Sequence, residues 1–100
     1  MIKIEVNYHN NQVSDIIISG HSNYDVIGRD IVCASTSSIA ITTINAILTL
    51  DNEALAYNES DGYLEIKVIK HNKYIDVLIS NMLNLFKELE KKYKKYINFK

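Results

Sequence analysis

The sequence predicts an α+β fold: a single domain over residues 1–100 in the order ββαββα, with one antiparallel sheet packed by two helices. Three observations carry this. Apolar and polar residues alternate near the N-terminus, and two turn-forming dipeptides each stand between strand-like runs. Towards the C-terminus, apolar residues recur every three or four positions.

Ile2, Ile4, Val6 and Tyr8 fall on one face at period two, the pattern of a half-buried strand. Asn10-Asn11 tolerates positive φ, and Val13 to Ser19 reads as the returning strand of a hairpin. Ile16-Ile17-Ile18 is apolar on both faces, which suits a central strand. A polar loop follows over residues 20–30. Asp30 is placed to cap a helix from Ile31 to about Leu50, because its carboxylate can accept from the orphan N–H groups of the first turn. This helix is apolar nearly all round and so calls for cover on more than one side. Glu53 to Asn58 and Tyr63 to Ile69 flank Asp61-Gly62, a strong hairpin signal. From Asn72 to about Ile97, the apolar positions Ile75, Ile79, Met82, Phe86, Leu89 and Tyr93 trace one stripe of a long amphipathic helix.

With 100 residues and 47% hydrophobic content, the chain fills one core but has a high surface-to-volume ratio. Its 11 basic and 12 acidic residues argue against an electrostatic nucleic-acid binder, which needs a basic face to displace counterions. The lysines between Lys87 and Lys100 read as a solvated helix end, diluted by Glu88 and Glu90. A lone cysteine excludes an internal disulfide framework and fits a reducing cytoplasm. The N-terminus has no signal-peptide pattern, and serines and threonines interrupt the longest apolar stretch, so no transmembrane span is expected. Abundant Ile, Asn and Lys with no proline fits an AT-rich bacterial genome.

Chemistry concentrates between residues 20 and 37. Cys33 opens an apolar helix, where the positive end of the dipole favours thiolate over thiol. His21 precedes it by twelve positions and would complete a Cys–His pair if the fold brought the two together. Each residue also has a plainer reading. Cys33 could be a small buried hydrophobe, Asp30 only a cap and His21 a solvated loop residue. Ser22, Tyr24 and Ser37 could be active-site hydroxyls or ordinary polar groups. Zinc is a poor alternative, since no second Cys or His stands at the spacing such sites use.

Gly20-His21, eight intervening residues including Gly28, then Asp30-Ile31-Val32-Cys33-Ala34 and Ser37, resembles the ribosomal-processing cysteine protease (Prp) family. The likeness in length and element order covers essentially the whole chain. Ser22 departs from the alanine frequent in the family, and Ser35-Thr36 is more polar than usual there. The resemblance implies a bacterial cysteine endopeptidase, acting as a homodimer without metal or organic cofactor. It implies removal of a short N-terminal extension from large-subunit ribosomal protein twenty-seven, the precursor being the partner rather than nucleic acid or membrane. By position, Cys33 becomes the nucleophile, His21 the general base and Asp30 a supporting acid. Gly20, Ser22, Ala34 and Ser37 become substrate-contacting positions, with N–H groups near Ala34 as oxyanion donors and loop 22–29 as a lid. The competing class is a non-catalytic ribosome-assembly protein that keeps Cys33 for packing.

Overall fold

The computed structural model describes residues 1–22, 24–25 and 30–100. The first hairpin pairs β1 (Ile2–His9) with β2 (Gln12–Ser19) through Asn10 and Asn11, whose φ values of 52° and 63° are those of a primed two-residue turn. The chain then forms α1 (Ile31–Leu50). A second antiparallel hairpin follows, of β3 (Leu55–Ser60) and β4 (Tyr63–Val68), turning at Gly62 with φ +67°. Helix α2 (Lys73–Lys92) is capped by the Asn72 side chain, which accepts from Tyr74 N and Ile75 N. A short strand β5 (Ile97–Phe99) closes the chain.

The strands lie in the order β3-β4-β2-β1-β5, so the run Ile16-Ile17-Ile18 is central as its two-sided apolarity predicts. Alternation sorts the two faces of the sheet. Ile2, Ile4, Ile16, Ile18, Leu64 and Ile66 are buried under the helices, while Lys3, Glu5, Asn7 and Lys67 face outward. The α+β class holds, as a two-layer arrangement of one sheet and two helices.

Strand β5 is an addition to the expected order, and it pairs parallel to β1 in a sheet that is otherwise antiparallel. Three residues are too few for period two to show. The apolar stripe of α2 also runs on to Tyr93, which caps the helix at residue 93 rather than near 97. Backbone pairing explains why the chain leaves the helix: Ile2 N donates to Tyr96 O, Lys100 N to Ile4 O, and Phe99 N to the Glu90 side chain.

Helix α1 has the length and apolarity to cross a membrane, with a mean hydropathy of 1.7, but its place is the core of this domain. Val32, Ala40, Ile44 and Ile47 are buried. Thr36 and Thr43 are buried too, because each hydroxyl donates to the carbonyl four residues back and leaves no polar atom unsatisfied.

Candidate active site

The site forms at one end of the sheet because β2 pairs with β4. Ser19 stands opposite Tyr63, and Gly20 N donates to Gly62 O at 2.8 Å. The residue that follows, His21, is therefore set against the β3–β4 turn. The link is tight at both glycines. A Cβ on Gly20, which has φ +89°, would meet Met1 O at 2.3 Å, and a Cβ on Gly62 would sit 2.8 Å from His21 Nε2. Gly62→Ala should therefore retain the fold, losing about 1 kcal/mol to its positive φ. The imidazole has to move aside, which should lower kcat/KM on the order of tenfold to a hundredfold. Parallel thermal melts and peptide-cleavage assays check both halves.

The thiol arrives from the opposite side. Asp30 caps α1: its Oδ1 accepts from Val32 N and Cys33 N at 3.0 Å each, fixing Cys33 in the first turn. The sulfur is half-buried and free of disulfide. Cys33 and His21 line one cleft of about 260 Å³, together with Gly20, Thr36, Ser37, Asp61 and Tyr63 among others. Among the described residues, no group of three His, Cys, Asp or Glu side chains is arranged to hold a metal ion.

Asp30 is the most strongly perturbed acid of the site. Desolvation pushes its carboxyl upward, but hydrogen bonds from the Ser22 hydroxyl, the Cys33 N–H and Tyr24 N outweigh it and lower the value from 3.8 to about 2. A carboxylate depressed on folding stabilises the fold fully above its unfolded value, and that stabilisation fades as pH falls through the folded value. The acid-stability advantage of the wild type over Asp30→Asn should thus be complete above about pH 4 and vanish towards pH 2. At neutral pH, where that advantage is complete, a loss of turnover in Asp30→Asn beyond what its lower melting temperature accounts for would mark a role beyond capping.

Of the positions that the resemblance assigns to substrate contact, Gly20 and Ser37 line the cleft. Ser22 and Ala34 lie outside its lining. Ser22 is 2% exposed, its hydroxyl turned inward to Asp30 and Cys33. The Ala34 N–H donates to Asp30 O at 3.1 Å, and those of Val32 and Cys33 donate to the Asp30 carboxylate. The lid expected over 22–29 falls mostly on residues 23 and 26–29, outside the described residues. The sequence reading missed the β3–β4 turn as a cleft wall and Tyr24 as an anchor. Tyr24 packs edge-on against Tyr93 and Tyr96 at centroid distances of 5.7 and 5.0 Å, tying the segment between His21 and Cys33 to the C-terminal segment.

A thiol in the first turn of a helix and an imidazole on the same cleft is the arrangement thiol hydrolases use. The profile of the family described as cysteine protease Prp matches residues 1–98. A curated relative from Staphylococcus aureus, named ribosomal processing cysteine protease Prp, is 28% identical over 97% of this chain and 95% of its own length. Two crystal structures of Prp from S. aureus share the fold. One, with a covalently linked product peptide, aligns over 99% of this chain and 97% of that chain with a TM-score of 0.92 and 28% identity. The other, with a substrate peptide, aligns over 100% of this chain and 98% of that chain with a TM-score of 0.87 and 27% identity. The class is thereby defined: a cysteine-type peptidase on a two-layer α+β scaffold. The chain belongs to the Prp cysteine protease family.

Proposed function

We propose that this protein removes the N-terminal extension of bacterial large-subunit ribosomal protein twenty-seven, with Cys33 as nucleophile and His21 as general base. The observation that carries the residue assignment is the shared cleft, which brings together two side chains twelve positions apart at the junction of α1, β2 and the β3–β4 turn. The reading of the substrate is supported by the ribosomal-processing name of the S. aureus relative.

In this mechanism His21 takes the thiol proton and the Cys33 thiolate attacks the scissile carbonyl. Collapse of the tetrahedral intermediate breaks the C–N bond as the imidazolium returns its proton to the leaving amine. The N-terminal fragment is left as a thioester on Cys33. A water deprotonated by His21 then releases it as a carboxylate and regenerates the thiol. Asp30 holds the first turn of α1 and with it the position of the sulfur.

Cleavage is tested by incubating the protein with the extended precursor and reading masses. A shortened ribosomal protein and one released N-terminal peptide support the proposal, and an intact precursor under conditions where other peptides are cleaved refutes the substrate.

A homodimer, working in the cytoplasm, completes the proposal. The five α1 residues whose spread around the helix raises the need for cover are largely satisfied within the chain: Ile44 and Ile47 are buried, while Ile39, Ile41 and Leu48 are half-buried against the core. The support lies elsewhere. An apolar groove between the end of α1 and the start of α2 is lined by Ala46, Leu50, Tyr74, Val77 and Leu78, with Val77 65% exposed. Sedimentation equilibrium at micromolar concentration should report twice the 11.5 kDa chain mass, and Val77→Asp should shift the population towards monomer.

A further inference from the structure

Ser22 is a buried polar residue beside Cys33 that the mechanism above leaves unused, and its bonds are directional. Its hydroxyl donates to Asp30 Oδ2. It accepts from Tyr24 N at 3.3 Å and from the Cys33 thiol at 3.4 Å. A hydroxyl has one proton and two lone pairs, so all of its capacity is committed. The sense of the chain is set at Asp30, whose carboxylate also accepts from Val32 N, Cys33 N and Tyr24 N and has no proton to give. Ser22 is therefore held as donor towards Asp30 and presents only lone pairs to sulfur.

We propose that the buried Ser22 hydroxyl is a proton-holding residue for the nucleophile: locked as donor to the Asp30 carboxylate, it offers Cys33 an acceptor and keeps it a thiol until His21 draws the proton away. A thiol satisfies that acceptor and a thiolate does not. The Ser22 backbone N–H, 3.4 Å from Sγ, acts in the opposite sense by donating to sulfur, and this donor is common to every residue except proline. Side chain and backbone of one residue thus pull the proton equilibrium in opposite directions, and substitution of the side chain isolates its share. When His21 acts, the S–H bond breaks, the proton passes to the imidazole nitrogen, and the sulfur keeps the electron pair for the carbonyl. The hydroxyl must then face an anion with its lone pairs or give up Asp30 to donate to sulfur, and either choice costs free energy before attack. The proposal rests on Cys33 being the nucleophile.

The test is the rate of iodoacetamide alkylation of Cys33 between pH 5 and 9, read by mass on the Cys33 peptide without reference to cleavage. Ser22→Ala keeps the backbone donor and removes the acceptor. The other ionisable groups around the cleft (His21, Glu59, Asp61, Tyr63 and Asp30) stay in place. The midpoint of its profile should fall by roughly half a pH unit, about a threefold faster reaction on the acid limb. Ser22→Thr, which restores the hydroxyl, should return the profile to wild type, a rescue that a purely structural role for Ser22 would not produce. Should Ser22→Ala fail to fold, Ser22→Gly, which also keeps the backbone donor and removes the acceptor, decides, and its midpoint should fall as well. A midpoint that is unchanged or raised in Ser22→Ala, or in Ser22→Gly where Ser22→Ala does not fold, overturns the proposal. If Cys33→Ser still cleaves substrate, the underlying assignment of the nucleophile fails instead, and the two failures are thereby distinguished.

Discussion

Cys33→Ala and Cys33→Ser should each reduce cleavage of the extended ribosomal protein by at least about a thousandfold. Their melting temperatures should stay close to that of the wild type. The sulfur occupies a half-buried position on the first turn of α1, where a hydroxyl or methyl of similar size fits, and the cap that forms this turn belongs to Asp30 rather than to the thiol. The loss is therefore one of chemistry. A serine hydroxyl is a far weaker nucleophile than a thiolate near neutral pH, because it gives up its proton far less readily. Circular dichroism melts beside cleavage assays check the pair of claims. A Cys33→Ser variant with near wild-type turnover would contradict the thiol mechanism.

The second large effect belongs to His21. His21→Ala should lower turnover on the order of a hundredfold to ten-thousandfold, the range general acid–base catalysis supplies. It should also slow alkylation of Cys33 near neutral pH, since the proton acceptor and the positive partner of the thiolate are both gone. Fold stability should change little, because the ring is exposed at the mouth of the cleft. The effect of Gly62→Ala should resemble a weaker form of the same loss, as that substitution displaces the imidazole without removing it. An alkylation profile indifferent to His21 would separate the ring from the sulfur and remove the pair.

Much of this architecture is legible along the chain wherever local chemistry decides the outcome. Asp30 before an apolar run marks the start of α1, and the structure begins the helix at the next residue. Asn10-Asn11 adopts the positive φ values its side chains tolerate. The stripe from Ile75 to Phe86 is the buried face of α2. What escaped depends on contacts between distant segments. The parallel pairing of β5 with β1 joins residues more than ninety positions apart through three residues per strand, and nothing local in Ile97-Asn98-Phe99 announces it. The Asp61-Gly62 turn is readable as a turn. Its place beside His21 follows from the register of β2 with β4, which the sequence leaves open.

The site divides in the same way. The family motif names Cys33, His21 and Asp30, and the fold brings the first two to one cleft and the third beneath the thiol. The motif is silent on direction. Ser22 next to His21 reads as a substrate contact, and its backbone turns the side chain into the protein. Ala34 next to Cys33 reads as an oxyanion donor, and its N–H closes the first helical turn onto Asp30 O. Both partnerships follow from the requirement that buried or helical polar groups find partners within the fold.

The most direct measurement is the identity of the residue that carries the acyl group during turnover. Protein mixed with the extended precursor, quenched in acid within the first turnover, digested and mapped by mass, should show the N-terminal fragment as a thioester on the peptide containing Cys33. The adduct should be absent from Cys33→Ala. Cleavage that proceeds with no adduct on Cys33, or with the fragment attached to another residue, would contradict this account.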